Sequence, residues 1–228
     1  MQPYLKENSL IKTVIFDLDG TLLYTLDSIS LSCNKVLKAH HLPPVTHEQL
    51  KRFVGDGVID LMRRAFAAGG SNETVDDSVV DEFRACFNDD CDYRVKAYDG
   101  INELIARLKE QHIFVACNTN KPHENAVKLI HKHFSDDFDA VQGQESAIPK
   151  KPDATGALRI AQTLGVKPQE VVYIGDSDVD MFTAKNASFH SIGAAWGYRG
   201  AKELKSSGAE FIAHTPYDVI QFLKMQVG

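Results

Sequence analysis

Short apolar runs that alternate with amphipathic helical patterns constrain this chain more than any other feature. TVIFDL (13–18) reads as a fully buried strand. From Ala97 onward the alternation is sustained. INELIARLKEQ (101–111) is an amphipathic helix, IFVACN (113–118) a buried strand, and 122–133 a helix. FDAVQG (138–143) reads as a short strand, ATGALRIAQTLG (154–165) as a helix and VVYIGD (171–176) as another buried strand. DMFTAKNA (180–187) follows as a helix, then HSIGAA (190–195) and EFIAH (210–214) as strands. Apolar strands separated by helices need crossover connections, so the expected class is α/β, a parallel sheet covered on both faces.

The alternation is interrupted once. From Asp27 to about Cys91 apolar residues recur at helical spacing: Leu26, Ile29, Ser30, Cys33 and Leu37, then Leu50, Phe53 and Val54, then Val79, Phe83 and Phe87. No strand is evident there, and AAGGSN (67–72) breaks the helices. The expected division is therefore an α/β core of residues 1–24 and 96–228, with a helical insert at 25–95. Its hinges fall at Leu22–Leu26 and Asp92–Tyr98. There is no internal repeat and no low-complexity segment.

Composition narrows the setting. The chain has 228 residues, 43% hydrophobic and 25% charged, as a globular protein does. Its net charge is −6 and no Lys/Arg-rich run stands out, so nucleic acid is not an expected partner. No stretch is long and apolar enough to span a membrane, and the first ten residues, MQPYLKENSL, lack the apolar centre of a secretory signal. Cys33, Cys86, Cys91 and Cys117 match neither a CxxC pair nor a zinc pattern. Reduced thiols and a cytoplasmic location are the expectation.

In an open parallel sheet, ligands bind beyond the carboxyl ends of the strands. The first such end carries Asp17 and Asp19, then Gly20 and Thr21. Either the acids decorate a tight turn, with Gly20 supplying positive φ, or a cation or proton offsets their repulsion. Mg2+ would suit, because it takes oxygen ligands. A carboxylate beside it can attack phosphorus, and a second can carry the proton of the leaving oxygen.

Three further strand ends carry chemistry. Thr119 and Asn120 either cap the helix near Pro122 or donate to phosphate oxygens. Lys151 in IPKKPD (148–153) is held extended by Pro152, and a positioned lysine can hold a phosphoryl group. In YIGDSDVD (173–180), Asp178 and Asp180 sit at a helix start, where acids are favoured. Asp176 follows an apolar run and a glycine, and metal ligation is its expected role.

Together these residues resemble the haloacid dehalogenase superfamily of phosphohydrolases. Asp17-Leu-Asp19-Gly20-Thr21 matches a DxDGT motif, Thr119 a second, Lys151 a third, and Gly175-Asp176 to Asp180 a GDxxxD fourth. FVGDGVIDLMRRA (53–65), NTNKP (118–122) and AAWGY (194–198) resemble its phosphoglycolate phosphatase-like subgroup, though Asp99 and Ala154 depart from that pattern. The resemblance implies a Rossmann-like core with an α-helical C1 cap that sets specificity. It implies Asp17 as nucleophile and metal ligand, and Asp19 as general acid/base whose backbone carbonyl joins the metal. Gly20, Thr119, Asn120 and Lys151 would bind the phosphoryl group with Asp17. Asp176 would ligate Mg2+, with Asp180 in support. The implied activity is Mg2+-dependent hydrolysis of a small phosphorylated metabolite, with 2-phosphoglycolate as the candidate, by a monomer or homodimer. A β-phosphoglucomutase-type mutase, a pyrophosphatase or a nucleotidase would share these motifs. A phospho-receiver signalling domain would be about half as long and would lack DxDGT.

Overall fold

The computed structural model describes residues 10–227. The expectation about a secretory signal concerns residues 1–10, of which all but Leu10 lie outside the described ones. Six strands form one parallel sheet: β1 (Thr13–Phe16), β4 (Phe114–Pro122), β5 (Ala140–Gln144), β6 (Val171–Gly175), β7 (His190–Ala194) and β8 (Phe211–Ala213). Their spatial order is β5-β4-β1-β6-β7-β8. β1 is central: Thr13 pairs with Phe114 on one side and Val171 on the other. All four of its residues are buried, as an apolar run with no polar face requires.

Helices cover both faces. α5 (Ile101–Glu110) buries Ile101, Leu104, Ile105 and Leu108, the i, i+3, i+4, i+7 stripe of a surface helix. It packs with α6 (His123–Phe134) and α10 (Pro216–Val227) on a core that includes Phe16, Leu18, Val115 and Ile174. α7 (Thr155–Thr163) and α8 (Asp178–Ala187) face a second cluster around Ile15, Ala116 and Tyr173. α9 (Gly200–Ser206) and α10 were assigned no element from sequence.

Between β1 and α5 stand four helices: α1 (Leu26–Ala39), α2 (His47–Phe53), α3 (Val58–Ala68) and α4 (Asp77–Asp90). They share a hydrophobic cluster that runs from Leu26 to Cys91 and is distinct from those of the sheet. Thr46 and Gln49 form a capping box at the start of α2, and Asp76 caps α4. Of the sequence positions spaced as the α1 stripe, Ser30 is only half-buried, while Ser28 and Ser32 are buried. Ser32 and Lys35 both reach Asp90, which fastens α1 to α4.

The stretches between this unit and the sheet contain a pairing that sequence did not suggest. β2 (Leu23–Tyr24) and β3 (Lys96–Ala97) form an antiparallel two-stranded ribbon, continued by Tyr98 N–H donating to Leu22 O at 3.1 Å. Both crossings are therefore tied to each other. All four cysteines are free thiols. Among the described residues no helix is long and apolar enough to cross a membrane.

Candidate active site

The chemistry gathers at the carboxyl ends of β1, β4 and β6. β1 ends at Phe16, and Asp17 follows with its N–H donating to Ile174 O at 2.8 Å, which places it beside β6. Gly20, at φ +85°, turns the chain back so that its N–H reaches Leu23 O. A Cβ at Gly20 would stand 2.3 Å from Asp176 Oδ2, so only glycine lets the two segments approach this closely.

Lys151 is buried between two acids. Its ammonium lies 2.7 Å from Asp180 Oδ1 and 2.9 Å from Asp17 Oδ1. The second contact is close enough for an ion pair but poorly directed, and Asp17 Oδ1 has no hydrogen-bond partner. Asp180 spends its other oxygen on Ser177, accepting from the backbone N–H at 3.1 Å and the hydroxyl at 2.8 Å. That reciprocal box starts α8. Asp178 sits in the first turn, half-buried.

Asp176 is held from the β7–α9 loop. Tyr198 N–H donates to its Oδ2 at 2.6 Å, and Trp196 Nε1 donates to Thr21 O at 3.0 Å. One oxygen each from Asp17, Asp176 and Asp180 falls within 4.8 Å of the others, all three residues being buried. Burial, opposed by Lys151 and reinforced by Asp180 and Asp19, pushes Asp17 up to about 7. Burial, with Asp180 and Asp17, raises Asp176 well above the carboxylate range. Burial works against the Lys151 ammonium, but Asp17 and Asp180 outweigh it and hold it well above its ordinary value. Three acids facing one lysine leave negative charge in a dry site, which a further cation would offset. An all-oxygen trio of this kind can hold a divalent metal ion.

The carboxylate of Asp19 is not in that trio. Its Oδ1 accepts from Thr25 Oγ1 at 2.5 Å and lies 3.0 Å from Lys121 Nζ.

β4 runs past the expected end at 118 as far as Pro122, with an irregular register between Asn118 and Pro122. Thr119 and Asn120 thus lie within a strand. The helix-capping alternative is excluded, because α6 has no side-chain cap and Thr119 Oγ1 accepts from Lys121 N–H instead. Asn120 donates to Gly55 O at 2.8 Å and to Lys151 O at 3.2 Å, and accepts from Lys151 N–H at 2.8 Å.

The loop between α2 and α3 closes over these strand ends. Besides Asn120 at Gly55, Arg199 donates to Val54 O at 3.1 Å, and Lys150 donates to Asp56 O at 2.9 Å and pairs with Asp60. Tyr198 Oη meets Thr25 at 3.2 Å through both its N–H and its hydroxyl. Arg64 does not enter the site; it donates to Phe53 O and pairs with Asp56. Beneath the loop is a cavity of about 50 Å³, with Asp17, Asp19, Thr119 and Lys121 on its floor. Its roof is Ile29, Val54, Val58, Leu61, Phe83 and Phe87.

Sequence reasoning brought Asp17, Asp19, Gly20, Thr119, Asn120, Lys151, Asp176 and Asp180 to this edge, and the structure places them there together. It missed Lys121, Thr25, Ser177 and the Tyr198 backbone. Lys121 stood next to the singled-out Asn120, and its charge within a largely buried run was the available signal.

Comparison with known proteins gives a consistent picture. The family model described as haloacid dehalogenase-like hydrolase matches residues 14–194. The phosphoglycolate phosphatase of Chromobacterium violaceum is 30% identical, over 94% of this chain and 97% of its own length. That of Agrobacterium fabrum is 33% identical, over 81% of this chain and 80% of its own. A solved structure from Lactobacillus delbrueckii subsp. bulgaricus, provisionally named a phosphoglycolate phosphatase, has a TM-score of 0.89 at 27% identity. The match covers 94% of this chain and 99% of that one.

Proposed function

The chain belongs to the haloacid dehalogenase-like hydrolases, and from that membership and the site we infer a Mg2+-dependent phosphatase that hydrolyses a small phosphomonoester through an aspartyl-phosphate on Asp17. The relatives named above make 2-phosphoglycolate the first substrate to try. One observation carries the reading: Asp17 is buried with its Oδ1 2.9 Å from Lys151 Nζ and a carboxylate oxygen within 4.8 Å of those of Asp176 and Asp180.

In this reading Asp17 attacks phosphorus and its acyl-phosphate forms as the leaving oxygen departs. Asp19, held by Thr25, gives that oxygen a proton and later takes one from the attacking water. Lys151 holds the phosphoryl oxygens and keeps the charge on Asp17 tolerable as the dianion approaches. Thr119 and the Gly20 turn complete the phosphoryl cradle. Asp17, Asp176 and the Asp19 carbonyl would hold Mg2+, with Asp180 in support, and the ion would neutralise charge on the transferring group. The helical unit acts as a cap: its loop at Val54–Gly57 seals the site from bulk water, and it must open to admit substrate.

The test is phosphate release across a panel of phosphorylated metabolites with Mg2+, alongside Asp17→Asn. Turnover by the wild type and none by the variant is the expected result. An inactive wild type would count against hydrolysis, and an active variant would remove Asp17 from the nucleophile's role.

A further inference from the structure

Lys121 has no part in the scheme above, yet it is the least ordinary side chain in the cavity. Its side chain is 2% exposed. A buried ammonium normally answers to a full set of acceptors. Among the described residues this one meets Asp19 Oδ1 at 3.0 Å and the face of Phe87 at 4.5 Å from the ring centroid. An ammonium has three donors, so the carboxylate accounts for one direction and the ring face for another. Asp19 does not depend on it for position, because Thr25 already holds the same oxygen at 2.5 Å.

The surroundings say what the remaining donor would take. The side chains that the cap contributes to the cavity are all apolar, with the backbone of Gly55 and Gly57 between them, and the arginines near it are elsewhere: Arg64 holds the Phe53 carbonyl and Arg63 pairs with Asp60. The cation facing the leaving group is therefore on the floor, adjacent to the acid. An oxygen that receives its proton from Asp19 stands about 3 Å from that carboxylate, beside the Lys121 ammonium that pairs with it, and an acceptor a few bonds further along the leaving group comes within its reach.

We propose that Lys121 is a specificity-determining residue that binds a carboxylate carried by the leaving group on the carbon next to the phosphate ester oxygen. This rests on the phosphatase reading and deepens it.

The experiment compares kcat/KM for 2-phosphoglycolate, its methyl ester and ethyl phosphate in the wild type, Lys121→Met and Lys121→Arg. The wild type should prefer the free acid over both neutral analogues by roughly 30- to 100-fold, the worth of one charged hydrogen bond. Lys121→Met should bring that ratio close to one, and Lys121→Arg should keep part of it. Losses common to all substrates, as from a disturbed Asp19 or partial unfolding, cancel in the ratio. A wild type indifferent to the carboxylate overturns the proposal even if no variant folds, and so does a ratio unchanged in Lys121→Met. Hydrolysis of ethyl phosphate in either case leaves the phosphatase reading standing. If the wild type hydrolyses none of the three, the proposal fails, and the metabolite panel decides whether the phosphatase reading fails with it.

Discussion

The side-chain amide of Asn120 donates to the backbone oxygen of Gly55 at 2.8 Å, so the end of a central strand is fastened to the cap. The same side chain brackets Lys151, donating to its carbonyl and accepting from its N–H. One residue thus fixes both the backbone of Lys151 and the loop of the helical unit at Gly55. Asn120→Ala should lower kcat/KM by about tenfold or more and stability by about 1–3 kcal/mol, since it strands buried backbone groups at Lys151. Steady-state kinetics and urea melts measure the two effects separately.

Asp17 gives a pH prediction. Its carboxyl titrates at about 7 in the folded protein against 3.8 ordinarily, so the folded state holds the proton more tightly than the unfolded chain. Ionising it therefore opposes folding. The penalty builds as pH rises from 3.8 towards 7 and persists above that. Asp17→Asn removes it. Without divalent metal, the variant should melt increasingly above the wild type across this interval, and Mg2+ should stabilise the wild type most at the alkaline end. A gap in melting temperature that does not vary with pH would contradict this.

Gly20→Ala tests the close approach at the metal-binding acids. The added methyl would meet Asp176 Oδ2 at 2.3 Å and Tyr198 Cδ2 at 2.9 Å, on a backbone at φ +85°. Strain and displacement together should destabilise by about 2 kcal/mol or more. Because the displaced group is Asp176, the stabilisation by added Mg2+ should shrink as well, which thermal melts with and without the ion will show.

Asp180→Ala leaves the buried Lys151 ammonium with Asp17 alone and takes the acceptor from Ser177. Breaking a buried pair on one side costs about 3–5 kcal/mol. Asp180→Asn keeps an acceptor for Ser177 and should recover part of that loss in a denaturant titration. Equal destabilisation by both variants would show that the Ser177 bonds add nothing.

The parts of the site that sequence made legible share one property: each announces itself locally. Asp17, Asp19 and Asp176 interrupt apolar runs at the point where a strand must end, and Pro152 fixes the backbone beside Lys151. The parts it hid depend on distant partners. Lys121 reads as a solvated lysine until β4 continues to Pro122 and brings it under Phe87, a residue of another helix. The hold on Asp176 comes from a backbone N–H at Tyr198, which no side-chain pattern records. The β2–β3 ribbon has two residues per strand, too few for any period to show. The fold class was readable because the central strands β1 and β6 are buried on both faces and so read as unbroken apolar runs. The short polar helix α9 was not, since its one buried residue is Leu204.

The central place of β1 also bears on how the molecule is made. The strand that delivers Asp17 leaves the ribosome before both of its neighbours, β4, starting at Phe114, and β6, starting at Val171. The helical unit, whose apolar cluster closes at Cys91, has all its own parts well before either arrives. A nascent chain can therefore assemble the helical unit while β1 still waits, apolar on both faces and unpaired, for β4 and β6 to emerge. During synthesis, that waiting strand is the segment with most need of a chaperone.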